Sequence, residues 1–246
     1  MATRESSCQY PCTEHGGCES YSLKSCGPED CLRLPIAQPK ANDVYELDKA
    51  LFYWINHGWT HPIADAFFPW ITHLKNMGPV IIPLVLWMLT RCGRRGRICI
   101  LTLGLTIAAT DQFCCNVLKP GVNRMRPCNA LEDTVLRVKR RKSPSFPSAH
   151  AANIFAAAVV FRLFYKRSIW IGLPIASAVA LSRVYTGVHY PSDIACGALI
   201  GSGIATGTTL GMRRLGQHVS WLALPASDTS ESPQKNQKVS TADLDA

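Results

Sequence analysis

Apolar residues gather in runs along the chain, and the spacing within the first run is helical. Over residues 44–57, Val44, Leu47, Leu51, Trp54 and Ile55 fall on one face, which predicts an amphipathic helix. Pro62 to Leu74 is apolar but short for a span. Leu47–Leu74 therefore reads as a first, oblique membrane element, with Trp54, Trp59 and Trp70 where helices meet the bilayer interface. Clearer spans follow at Met77–Cys92, Ile98–Leu118, Ala149–Tyr165, Ile169–Tyr185 and Ile194–Met212. Ile98–Leu118, with 21 residues, would extend about 31 Å as a helix and match the bilayer core. Gly, Ala, Ser and Thr within the spans suit close helix packing. The expected fold is all-α: a multi-pass membrane bundle of about six elements. A buried helical core in a soluble protein is the other reading of short apolar helices. Charges pushed to the segment ends favour the membrane.

Composition at first points the other way, because mean hydropathy is only +0.05. That average conceals polar sequence concentrated in 1–46, 119–148 and 213–246. Residues 1–43 read as a flexible Cys-rich tail, 44–214 as the membrane domain and 215–246 as a second polar, disordered tail. The start of the chain shows no apolar signal-peptide core. Cys8, Cys12, Cys18, Cys26 and Cys31 include no CxxC pair, so a reduced tail is favoured over a zinc module. The net charge of +9 calls for an anionic partner: a nucleic acid, a membrane surface or a phosphorylated substrate. The basic residues border apolar helices and form no stripe with exposed aromatics, which sets nucleic acid aside.

Loop charges give an orientation. Arg91, Arg94, Arg95 and Arg97, then Lys166 and Arg167, then Arg213 and Arg214 would all face the cytoplasm, with both termini. The segment 119–148 would then lie outside, although it holds Lys119, Arg124, Arg126, Arg137, Lys139, Arg140, Arg141 and Lys142. A topological signal does not account for that excess of positive charge; a phosphate site does. Arg124 and Arg137 themselves read as interfacial or topological charges.

Three clusters stand at the outer ends of spans: Lys119 to Arg126-Pro127; Pro147-Ser148-Ala149-His150; and Ser182-Arg183, His189 and Asp193. In order and spacing, K-x6-R-P, P-S-x-H and S-R-x5-H-x3-D, the set resembles the type 2 phosphatidic acid phosphatase family of bacterial membrane lipid phosphatases. That family shares its site with vanadium haloperoxidases and glucose-6-phosphatase. The resemblance covers roughly residues 45–212. Ala149 departs from the usual glycine, yet alanine still presents a backbone N–H at negative φ. Asp111, Gln112 and Asn153 also resemble a bacterial subset.

The resemblance implies that His189 is a nucleophile forming a phosphohistidine and that His150 is the acid for the leaving oxygen. Asp193 would accept the other imidazole N–H of His189. Lys119, Arg126 and Arg183 would bind the phosphate oxygens, with Ser148 and Ala149 at a helix start supplying further donors. Ser148 also reads as a plain helix N-cap, and Asp193 as a plain helix-start charge. Pro191 suits the first turn of the last span, which leaves His189 in the preceding loop. Asp111, Cys115 and Lys119 at i, i+4 and i+8 would share a face, so Asp111 is a supporting residue, as is Asn153. No metal-ligand cluster or nucleotide loop is visible, so no metal or cofactor is expected. The implied activity is hydrolysis of a lipid phosphate or diphosphate within the membrane. A haloperoxidase-like enzyme using vanadate and a non-catalytic binder of lipid phosphates are the alternatives.

Overall fold

The computed structural model describes residues 41–219, and the five cysteines of the expected N-terminal tail lie outside them. All regular structure among the described residues is helical. The expected first membrane element divides into α1 (Ala41–Asn56) and α2 (Pro62–Thr72). Pro62, lacking an N–H, occupies the first turn of α2, and the His61 side chain accepts the Ile63 N–H at 3.2 Å as its cap. Next come α3 (Leu74–Arg91) and α4 (Gly93–Gln112). The latter continues through a π-helical stretch, Phe113–Leu118, into the short α5 (Lys119–Val122). A brief α6 (Pro127–Ala130) interrupts the long connection to α7 (Ala149–Phe164). The chain closes with α8 (Ile169–Tyr185) and α9 (Pro191–His218). That last helix runs past both the expected Met212 end and the expected boundary at 214.

Three stretches, Gly93–Ala130, Lys166–Tyr185 and Pro191–His218, are long and apolar enough to cross a membrane, and Ala149–Phe164 is a shorter apolar helix. Large apolar side chains remain exposed along the bundle, among them Val80, Ile82, Trp170, Ile171 and Leu199. Lipid is the solvent that such a surface requires.

The apolar face expected for the first helix is divided. Val44, Leu47 and Trp54 are exposed, whereas Ile55 is buried together with Asp48, Phe52 and Asn56. In a bilayer the apolar face can look outward, and polar groups turn inward where partners exist. Asn56 shows why: its Nδ2 donates to Val135 O at 3.0 Å and Tyr185 O at 2.8 Å, and its Oδ1 accepts from Val135 N at 2.9 Å. One buried amide thus holds the connection before α7 against the end of α8.

Small residues bring α7 and α9 into near backbone contact. A Cβ on Gly197 would lie 2.6 Å from Ser148 O, and one on Gly201 would lie 2.0 Å from Ala152 O. The Gly197–Gly201 spacing and the buried Ala151, Ala152 and Ala156 therefore form a small-residue seam. Its upper end is closed by Ser148 N donating to Asp193 O at 3.0 Å, which brings the starts of α7 and α9 together. At the opposite end, Met88, Ile98, Cys99, Val160, Phe164 and Met212 build an apolar core among α3, α4, α7 and α9.

Candidate active site

Helix order places all three sequence clusters at one end of the bundle. Helix α4 and its π-helical continuation deliver Lys119, α7 begins at Ala149, α8 ends after Arg183, and α9 begins just after His189. Asn123, at φ 44° and well suited to a left-handed cap, ends α5 and turns the chain back toward Arg124 and Arg126.

His189 sits in the turn between α8 and α9. Gly187 makes the turn possible, since its φ is +82° and a Cβ there would meet Thr134 Cγ2 at 2.8 Å. The N–H groups of Val188 and His189 both donate to Arg183 O at 3.2 Å. His189 is only 2% exposed. Its Nδ1 faces Asp193 Oδ2 at 3.4 Å, and its Nε2 lies 3.0 Å from Arg126 Nη1. An Arg126 N–H can only donate, so Nε2 carries the lone pair and Nδ1 the proton, directed at the carboxylate. Burial first, helped by the Arg126 and Arg183 charges and opposed by Asp193, pushes the His189 pKa down to about 4. The ring is therefore neutral near pH 7 and able to act as a nucleophile.

Arg126 is buried and anchored by Ser143 O at 2.7 Å, Ser143 Oγ at 3.1 Å, Pro144 O at 3.1 Å and Val188 O at 2.9 Å. Arg183 is also buried; its Nη1 donates to Thr72 Oγ1 at 2.5 Å, while its Nε has no hydrogen-bond partner among the described residues. A buried guanidinium donor left unmet costs free energy that an anion would offset. Ser148 caps α7, its Oγ accepting the Ala151 N–H at 3.4 Å, with Ala149 the first helical residue. His150 is exposed in that first turn and lies within electrostatic reach of Arg183, His189, Arg141 and Lys119. Lys119 is half-buried, and no hydrogen bond or ion pair holds its side chain among the described residues. The structure thus brings His189, Asp193 and Arg126 into direct side-chain contact, ties Arg183 to His189 through its backbone carbonyl, and leaves His150 and Lys119 nearby without bonding them to that group.

Asp111 and Asn153 bond each other, Asn153 Nδ2 donating to Asp111 Oδ1 at 2.8 Å. The helix that carries Asp111, Cys115 and Lys119 is not α-helical throughout, because Phe113–Leu118 is a π-helical stretch with a wider turn.

The profile of the PAP2 superfamily matches residues 99–217. The Lipid A 4'-phosphatase of Bacteroides thetaiotaomicron is 33% identical over 166 residues, 63% of this chain and 72% of that protein. The chain belongs to the PAP2 superfamily. An Undecaprenyl-diphosphatase of Sulfolobus acidocaldarius shares 39% identity over 83 residues, 33% of this chain and 40% of that one. The crystal structure of Aquifex aeolicus LpxE superposes with a TM-score of 0.55 at 28% identity, covering 67% of this chain and 95% of that one. With its apolar helices, this PAP2 protein is an integral membrane protein, and it is a phosphoric ester hydrolase.

Sequence reasoning missed the network beneath His189 in this PAP2 site. Arg124, read as an interfacial charge, is instead half-buried and bound on both sides. Its Nη1 donates to Asp193 Oδ1 at 2.9 Å and Ser192 Oγ at 2.7 Å, and its Nη2 to Asp48 Oδ2 at 2.6 Å. The guanidinium also stacks 4.0 Å over the Tyr190 ring. Burial lowers its proton affinity, but Asp48 and Asp193 more than offset that, and its pKa is raised. Asp48 accepts the Ser192 N–H at 2.8 Å as well, so α1 holds the first turn of α9. Ser145 Oγ donates to Asp193 Oδ2, which also accepts the Tyr190 N–H at 2.8 Å. Arg137 is likewise structural: it bonds Asp65 Oδ1, Asn56 O and Tyr185 O, and stacks 4.1 Å over Tyr185. The signal was a buried carboxylate, Asp48, in an apolar helix, which demands a cationic partner.

Proposed function

We propose that this PAP2 protein hydrolyses a phosphomonoester or diphosphate of a membrane lipid, without a metal ion, through a phosphohistidine on His189. The observation that carries the reading is the buried His189 ring, held between Asp193 at Nδ1 and Arg126 at Nε2. A substrate phosphoryl oxygen would take over the Arg126 donor and free the Nε2 lone pair for in-line attack on phosphorus. As the N–P bond forms, the bond to the leaving oxygen breaks and the imidazole becomes cationic. Asp193, charged and hydrogen-bonded, stabilises that cation. Lys119, Arg126 and Arg183, with the N–H groups at the Ser148–Ala149 helix start, balance the charge on the three equatorial oxygens. His150 protonates the leaving oxygen. It then takes a proton from the water that displaces His189 from phosphorus, restoring both histidines. Asp111 and Asn153 support the α7 start from below.

The site is assigned to the non-cytoplasmic face, with both termini cytoplasmic, because the basic turns at 91–97, 166–167 and 213–214 lie at the other end of the bundle. The lipid-facing bundle suits substrates such as lipid A phosphate, undecaprenyl diphosphate, phosphatidylglycerophosphate or phosphatidate, and the Lipid A 4'-phosphatase relative puts the first of these at the head of an assay panel.

The test is rapid acid–base quenching with a phosphate-labelled lipid. We expect a base-stable, acid-labile label on the protein that is absent in His189→Ala, formed equally in excess EDTA and blocked by vanadate. Turnover with no protein-bound label, or activity lost in EDTA and restored by magnesium, overturns the mechanism. Cysteine labelling at Ser143→Cys and Ser168→Cys tests the face; an impermeant reagent that reaches 168 but not 143 from outside reverses it.

A further inference from the structure

The inner charges of the site already meet a single phosphate group. Lys119, Arg124, Arg126, Arg137 and Arg183 stand against Asp48, Asp65 and Asp193, which leaves two positive charges for the roughly two negative charges of a phosphomonoester. The segment Lys139–Lys142 adds four more cations, all of them exposed. Arg140 bonds Cys128 O and leans on Asn129. Lys139, Arg141 and Lys142 make no ion pair or side-chain hydrogen bond among the described residues, and Glu132 and Asp133 pair with none of them.

This segment is held at the site and is not a loose basic loop. Asn129 Nδ2 donates to Arg141 O at 3.0 Å, which fixes the backbone at Arg141. One residue beyond Lys142, Ser143 is gripped by Arg126 through both its carbonyl and its hydroxyl. Arg126 is the group that touches His189 Nε2, so the basic run is a short covalent and hydrogen-bonded path from the nucleophile. The Arg141 charge reaches Arg126, His150 and Arg183 alike. On Arg126, burial lowers the pKa first, and Arg141 lowers it further. Like charges are not gathered beside an anion site without cost unless the ligand carries charge to spare.

We propose that Arg141 and Lys142, on the segment that Arg126 grips at Ser143, form a second anion subsite beside Arg126 that takes a further phosphate carried by the same lipid substrate. This rests on the reading of His189 and its neighbours as the phosphate-cleaving site. The subsite adds binding energy remote from the reacting bond, and it favours lipids with two phosphate groups over those with one.

The experiment uses the full-length protein in neutral detergent micelles and two substrates: a lipid monophosphate, and the same lipid bearing a second phosphate. Unaltered protein, Arg141→Gln, Arg141→Gln/Lys142→Gln and Arg141→Lys are compared after matching by thermal stability. In the two glutamine variants, the preference in kcat/KM for the doubly phosphorylated lipid should fall roughly ten- to hundredfold, through KM, the weight of one or two charge-assisted hydrogen bonds. Arg141→Lys should recover part of it. Equal losses on both substrates, or no change in the preference, overturn the subsite. Repeating the series in vesicles with and without phosphatidylglycerol separates the other source of negative charge. A loss that appears only with phosphatidylglycerol, and equally for both lipids, makes the segment a membrane-surface contact and overturns the proposal. Turnover of p-nitrophenyl phosphate by the unaltered protein reports the main site alone. Its absence would count against the proposed reaction, while a failed preference with that turnover intact counts only against the subsite.

Discussion

Arginines crowd both ends of this helix bundle and serve different purposes at each. At the end with the basic turns, Arg97 Nε donates to Leu89 O at 3.1 Å, Arg213 Nη2 to Leu163 O at 2.7 Å, and Arg95 to Phe164 O. These are long side chains satisfying the last carbonyls of α3 and α7, which have no partner within their helices. At the other end Arg126 and Arg183 are buried, and Arg124 is wedged between two carboxylates. There Arg126 faces the His189 imidazole, and fixed partners hold Arg126 and Arg183 despite their mutual repulsion. Identical side chains act as caps where they meet carbonyls at a surface. Where burial removes water, carbonyls, hydroxyls and carboxylates fix their direction instead, which is the arrangement a phosphate site would require.

Substitutions should separate the two ends by orders of magnitude. His189→Ala has the largest expected effect: lipid phosphate release falls below detection, because no phosphoenzyme forms. Detectable turnover with an unchanged substrate profile would remove His189 from the nucleophile role. His150→Ala should lower lipid phosphate hydrolysis by about 10²–10⁴-fold, the usual weight of acid–base catalysis. An aryl phosphate, which leaves without a proton, should lose far less in the first step and show a burst of nitrophenol. Equal losses on aryl and lipid substrates without a burst would leave His150 as a phosphate-positioning group.

Asp48→Asn should lower kcat by roughly tenfold with little change in KM, the scale for groups that orient an imidazole through an intermediary. Its carboxylate touches Arg124 and Ser192 and not the phosphate, so Arg124 would then draw on Asp193 alone. A raised KM at constant kcat would place Asp48 in substrate binding instead. The His189 environment also leaves a mark on stability. Its folded pKa, about 4, lies below the unfolded value of about 6.5. Between those values the unfolded chain binds more protons, so stability is highest above the unfolded pKa and declines as pH falls toward the folded one. Thermal denaturation of His189→Gln should show a shallower decline over that interval; identical slopes would contradict a buried neutral ring. The smallest effect belongs to the far end. Arg213→Gln should leave activity within about twofold and cost about 1 kcal/mol, the net worth of one hydrogen bond. A large activity loss there would erase the distinction between the two ends.

The sequence by itself determined the helical class, the membrane character and the gathering of the three clusters at one end. Each follows from local facts: runs of apolar residues need lipid or a core, and spans of nearly bilayer length alternate direction. Short motifs at fixed spacing also survive any change in packing. Tertiary structure decided the rest. The lipid-facing side of α1 could not be told from its buried side by periodicity, because in a bilayer apolar residues suit both; only the partners of Asp48 and Asn56 settled it. The π-helical stretch before Lys119 was not legible, because α-helical spacing already accounted for the pattern there. Arg124 and Arg137 looked like interfacial charges until Asp48, Asp193 and Asp65, each far away in sequence, were seen beside them. Charge and hydropathy are properties of a residue, whereas burial and pairing are properties of its neighbours, and those neighbours are brought together only by the fold.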